Sequence, residues 1–179
     1  MYTLFHHPFC PHSRFIRLII GEHGLDLRLV EERAWERREG FLALNPAATT
    51  PVLLADGFPP IPGAAIIAEY LDETHGLEAG ERRLLPAAMA ERVEVRRLMA
   101  WFNEKFFEEA SNPLVTERIY KRFMSEETGG GAPSTDVIRA SAAYPHSESL
   151  IRGLRSPSLQ ARLSYKRSSR SLPALDCRR

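Results

Sequence analysis

Cys10-Pro11-His12-Ser13 sits where a strand-like start gives way to a helix, and its thiol is the side chain best placed for chemistry. Tyr2 to Phe5 reads as a short strand and His6 to Phe9 as a loop. Phe15, Leu18 and Ile19 are spaced i, i+3, i+4, the mark of one buried helical face. Pro11 suits the first helical position, where the amide it lacks has no partner. Cys10 therefore stands at a helix mouth. Unpaired backbone amides and the positive end of the dipole favour an anion there, in this case a nucleophilic thiolate. His6, His7 and His12 lie near in sequence and add positive charge when protonated. With Cys10 they also hint at a metal, but no second cluster closes a ligand set, and no metal is expected.

The elements that must position this thiol follow from periodicity. After the first strand and helix, Leu25, Leu27 and Leu29 alternate with Asp26 and Arg28, a second strand. Trp35 to Leu44 reads as a short helix stopped by Asn45-Pro46, and Val52 to Leu54 as a strand. Asp56-Gly57 signals a hairpin into a poor edge strand, because Pro59, Pro60 and Pro62 remove ladder donors. Gly63 to His75 is a helix with Ile67, Tyr70 and Leu71 on one face. The order is βαβαββα. Gly76 to Pro86 reads as a linker, and residues 87–122 as a long helical stretch that Pro113 kinks or divides. Ser134-Thr135-Asp136 starts a further helix.

Two aromatic groups stand out in these elements. Trp35 beside Arg37 and Arg38 makes an anchor for a protein partner if it is exposed. A half-buried packing role fits the same residues equally well. Val93, Leu98, Trp101, Phe102, Phe106 and Phe107 form a stripe, read as core or dimer interface rather than a ligand pocket. The stripe is wider than one packing partner needs. Burying one such side chain is worth ~1.5–3 kcal/mol, so the chain is expected to be marginally stable and prone to aggregate.

The 179 residues are 44% hydrophobic and 26% charged, which fits a globular chain. No apolar run approaches the ~20 residues of a membrane helix. The start, Met1-Tyr2-Thr3-Leu4, shows no signal peptide, and two cysteines exclude a disulfide framework. A cytoplasmic setting is expected. Residues 141–179 carry seven Arg and one Lys against Glu148 and Asp176, a charge of +6, while the rest carries −5. This segment, rich in serine and without period, is expected to be unfolded. Out-of-frame translation of a GC-rich gene gives such text. A basic tail for nucleic acid, centred on Lys166 to Arg170, is the weaker reading.

Several of these segments together resemble the glutathione S-transferase superfamily. They are Phe5 to Arg14, Leu42-Ala43-Leu44-Asn45-Pro46, Thr50-Pro51-Val52-Leu53 and Ile67-Ala68-Glu69-Tyr70-Leu71. The resemblance implies a thioredoxin-like amino-terminal domain over 1–76, a partial all-helical domain over 86–140 and the separate tail 141–179. It implies Cys10 as the catalytic position and a cis bond at Pro51. It further puts Pro11, Ser13, Pro51, Val52 and Ala64 around bound glutathione, with the Val52 main chain holding the cysteinyl part. Cys-Pro-x-Ser is similar to the cysteine-type transferases and monothiol glutaredoxins, which favour thiol exchange.

One departure matters. Glutathione-binding members have an acidic residue and then Ser before the third helix, to grip the γ-glutamyl group. Here those positions are Gly63 and Ala64. Losing about two hydrogen bonds costs roughly 2–4 kcal/mol, or about 30- to 1000-fold in affinity. Glutathione binding is therefore expected to be weak or vestigial.

Residues 30–38, 41–46 and 91–106 are similar to the FtsZ-localised, transferase-like cell-division proteins. That resemblance implies FtsZ as a partner, a dimeric build and little catalysis. It also implies further helices after Ala140, which this chain is expected to lack. The competing expectation is an enzyme of thiol exchange or conjugation through Cys10.

Overall fold

The structure, a computed structural model, describes residues 1–80 and 83–143. Its sheet has four strands, β1 (Tyr2–His6), β2 (Leu27–Glu31), β3 (Val52–Ala55) and β4 (Ile61–Pro62), in the order β2-β1-β3-β4. β1 runs parallel to β2, with Tyr2 opposite Leu27, and antiparallel to β3, with Phe5 opposite Val52. β3 and β4 are antiparallel, Leu53 facing Ile61. The prolines hold β4 to two residues at the edge, as their missing donors require.

Helix α1 (Pro11–His23) is capped at both ends in ways the sequence encodes. Cys10 is extended at its head (φ −70, ψ 121), and Pro11 follows as the first helical residue. Gly24 closes it in the left-handed conformation (φ 66). Its amide donates to the Gly21 carbonyl, and that of Leu25 to Ile20 at 3.1 Å, a double bond pattern typical of glycine-terminated helices. The amide of Leu25 is thereby used up, so β2 begins at Leu27 rather than at Leu25.

α1 packs against α3 (Ala64–His75) over the sheet, and Leu4, Ile16, Ile20, Leu53, Ile67 and Leu71 form the core between them. Strand alternation turns Phe5 to the other face, where it meets Phe41 of α2 (Glu39–Leu42) with ring centroids 6.0 Å apart. The single helix expected over Trp35 to Leu44 is two pieces, a 3₁₀ turn at Ala34–Glu36 and then α2. Arg37 adopts the left-handed conformation between them (φ 48) and breaks the ladder.

Beyond α3 the linker is tied down by Asp72. This buried carboxylate accepts from Arg83 Nε at 3.0 Å and Nη2 at 2.6 Å, and from the Leu85 amide at 3.2 Å. The helical part begins with α4 (Met89–Ala100) and passes through two π-helical turns, Trp101–Lys105 and Phe107–Ser111, into α5 (Asn112–Arg118). The expected kink or division at Pro113 takes another form. The backbone stays helical through Ser111 and Asn112, and the widened turn before Pro113 relieves the clash its ring makes with the preceding turn. α4 has no buried residue among those described, and Phe102 is 47% exposed, so the apolar stripe is open along part of its length.

A bidentate pair from Arg96 to Glu69, at 2.8 and 2.7 Å, joins α4 to α3. α6 (Thr135–Ala142) starts beside the expected Ser134, whose carbonyl accepts the Ile138 amide and whose own amide donates to Glu117 at 2.7 Å. The expectations for the basic tail fall outside the described residues from 144 onward. Among those described, no helix is long and apolar enough to cross a membrane.

Candidate functional site

A cleft of about 440 Å³ opens between the sheet layer and the helical part, and Cys10 lines it. Cys10 is 7% exposed, and its thiol donates to the carbonyl oxygen of Thr50 at 3.6 Å. Thr50 precedes Pro51 through a cis peptide bond. The first turn of α3 forms the next wall, with Gly63, Ala64, Ala65 and Ile66 facing the cleft. Gly63 caps that helix at φ 90, a conformation that suits a residue without a side chain. Backbone amides at this helix start remain available to an anion, but neither Gly63 nor Ala64 brings a polar side chain.

The helical part supplies the opposite wall. The π-helical turns aim Asn103, Glu104 and Phe107 at the cleft. His12 ties the two sides together. Its Nε2 donates to the Asn103 carbonyl at 2.7 Å, and its ring lies on Phe107 with centroids 4.0 Å apart. Wider turns of this kind recur at functional sites in helices. Tyr120, in the 3₁₀ turn after α5, reaches back to His7 and Trp35.

The expected site residues are distributed as follows. Cys10 and Ala64 share the cleft. Pro51 and Val52 are fully buried, and Val52 lies in register with Phe5 on one side and Pro62 on the other. The position facing the cleft is therefore Thr50, just before the ladder begins, and not Val52. Ser13 is sealed from solvent, its Oγ accepting the His7 amide at 3.3 Å, so it braces the loop around the thiol. Pro11 lines a neighbouring apolar hollow with Phe15 and Phe106.

Of the two placements open for Trp35, the structure has the half-buried one, with the indole in the cleft. Arg37 and Arg38 stay exposed, and Arg38 pairs with the buried Glu32 at 2.5 Å.

Electrostatics revise one expectation. Burial holds His6 and His7 below the usual imidazole range, so both are neutral near pH 7 and lend no charge to a thiolate. Tyr120 is pushed strongly upward, chiefly by burial and then by Cys10, and keeps its proton. Among the described residues no group of three or more His, Cys, Asp or Glu is placed to hold a metal. The sequence gives no site role to Tyr120, Asn103 and Glu104, and puts Phe107 in the stripe read as core or dimer interface. They lie more than 90 residues from Cys10, and no local spacing links them to it.

Residues 4–81 match the glutathione S-transferase amino-terminal domain family. Over 140 residues the chain is 36% identical to FtsZ-localized protein A of Caulobacter vibrioides, covering 76% of this chain and 58% of that protein. A solved glutathione S-transferase from Sinorhizobium meliloti 1021 superposes with a TM-score of 0.77 at 48% identity, over 80% of this chain and 62% of its own. The structure of FzlA from C. crescentus gives 0.69 at 34% identity, over 79% and 61%. The chain thus spans less than two thirds of the length of each of these relatives.

Proposed function

Residues 4–81 are a glutathione S-transferase amino-terminal domain, which puts the chain in that superfamily, and from that premise we propose that it acts as a cytoplasmic binding partner of FtsZ in bacterial cell division, with weak or no glutathione chemistry. The observation that carries this reading is the first turn of α3. Where a γ-glutamyl group would need side-chain partners, the cleft presents Gly63 and Ala64. The thiol beside it is engaged with the Thr50 carbonyl. A cleft that keeps its sulfur but offers no side-chain grip on a peptide's far end is a poor catalyst and an adequate scaffold. The 36% identity to an FtsZ-localized protein supports the choice of partner.

The test is co-sedimentation with GTP-polymerised FtsZ of Caulobacter vibrioides, wild type beside Cys10→Ala. Both proteins are expected in the pellet in equal amounts. Absence of both from it would remove the partner from this account.

A second reading has its own support. Cys10 stands at the head of α1 and lines the cleft, the placement a thiol-exchange enzyme requires. There the thiolate attacks a disulfide sulfur, forms a mixed disulfide and expels the other sulfur as a thiolate. Glutathione-dependent reduction of hydroxyethyl disulfide that vanishes in Cys10→Ala, without co-sedimentation, would favour this reading.

A further inference from the structure

We propose that His7, Trp35 and Tyr120 form an aromatic latch that closes the cleft over Cys10, so that the thiol meets reagents only when Trp35 and Tyr120 part. The three rings touch pairwise. Centroids lie 5.1 Å apart for His7 and Trp35, 5.0 Å for His7 and Tyr120, and 5.1 Å for Trp35 and Tyr120. They come from three separate elements: the loop before α1, the 3₁₀ turn Ala34–Glu36, and the 3₁₀ turn Tyr120–Arg122. All three rings line the same cleft as the thiol, Cys10 is near enough to act on the Tyr120 hydroxyl, and the Cys10 residue is 7% exposed.

The elements carrying Trp35 and Tyr120 are short, and that of Trp35 is the more lightly held. Each is a single turn of three residues; that of Trp35 keeps two backbone bonds, from the Glu36 and Arg37 amides to Arg33 and Ala34, while that of Tyr120 is held further by the Phe123 and Met124 amides on the Tyr120 carbonyl and by Lys121 on Glu117. Each is bounded by a non-helical residue, Arg37 in the left-handed conformation and Ile119 at φ −124, ψ −63. Short turns with few hydrogen bonds belong to the low-stability end of a fold, where local opening costs little. His7 belongs to the fixed side, since Ser13 holds its amide and the Phe9 amide holds its Nδ1. The latch thus opens by withdrawing Trp35, Tyr120 or both from a stationary His7. It concerns Cys10 alone and holds whether or not FtsZ is the partner.

Alkylation of the full chain by excess iodoacetamide tests it, with peptide mass spectrometry separating Cys10 from Cys177. In that step the Cys10 sulfur forms a bond to carbon, iodide leaves and the thiol proton passes to solvent. Trp35→Ala and Tyr120→Ala should each raise the Cys10 rate by about ten-fold or more, equivalent to ~1.4 kcal/mol and within reach of two lost aromatic contacts. Tyr120→Phe keeps the ring and should stay within about two-fold of wild type. Unchanged rates in both alanine variants, or an equal rise in Tyr120→Phe, would overturn the latch.

A second arm uses the unmutated protein and survives a failure of either variant to fold. Parting two rings exposes little surface, so the Cys10 rate should be flat in urea below the unfolding transition. A rate that climbs steeply from the lowest urea would mean that only global unfolding reaches the thiol, and would also overturn the proposal.

Discussion

The Sγ of Cys10 donates to the carbonyl oxygen of Thr50 across 3.6 Å, which ties the head of α1 to the residue before the cis Pro51. Only the protonated thiol can donate, so a thiolate must give this bond up. A thiol is a weak donor, and the side chain is small. Cys10→Ala should therefore cost about 1 kcal/mol or less in urea unfolding. A loss of about 3 kcal/mol would show that Cys10 holds the cleft together rather than serving it.

The two positions at the start of α3 should respond differently to restoring polarity. Ala64 lines the cleft at the first position of the helix and is 7% exposed, so Ala64→Ser adds a hydroxyl at the cleft edge with no backbone strain. Glutathione should bind that variant about 5- to 10-fold more tightly, one neutral hydrogen bond's worth. Gly63→Glu meets φ 90, which L side chains rarely adopt, and should lower stability by about 1–2 kcal/mol. Titration and urea unfolding on the two variants check both statements; an unchanged affinity in Ala64→Ser would mean the helix start is not where the ligand's end lies.

Asp72 ties α3 to the linker that leads to the helical part through three hydrogen bonds. Asp72→Ala leaves the buried Leu85 amide and the Arg83 guanidinium without their acceptor. A loss of about 2–3 kcal/mol is expected in urea unfolding. A loss below about 0.5 kcal/mol would show that these contacts are made equally well by water.

Stability should fall with mild acid. Burial is the largest cause holding His6, His7 and His23 below their usual range. The unfolded chain therefore takes up protons first, near the free value of about 6.5. The stabilisation is complete above that value and is lost as pH falls from there towards the folded values. Glu69 and Glu117, held low mainly by bonds to Arg96 and Lys121, act only below the ordinary carboxylate range. The melting temperature should thus drop between about pH 7.5 and pH 5.5, and His23→Phe should flatten that slope. A melting temperature constant over this span contradicts the assignment.

Much of the sheet layer was legible because its signals are local. The Cys10-Pro11 head and the proline-starved β4 each follow from a few adjacent residues. So does the bare Gly63-Ala64 pair at the start of α3. Trp35 to Leu44 carries the composition of one helix but forms two pieces, because nothing in that composition announces that Arg37 turns left-handed. The stripe from Val93 to Phe107 assumed a regular period, and the π-helical turns shift it, sending Phe107 to His12. Thr50 was passed over for Val52 because the start of the ladder depends on pairing with β1. Tyr120 reaches Trp35 only through the packing of α5 against the rest, which no spacing encodes.

The central claim is that this cleft has kept a thiol and lost its hold on the far end of glutathione. Titration calorimetry of the wild-type chain with reduced glutathione tests it most directly. The account predicts a dissociation constant near or above about 1 mM, the affinity left by only ~4 kcal/mol of binding. A constant of about 10 μM or tighter would contradict it and return Cys10 to the role of a working catalytic thiol.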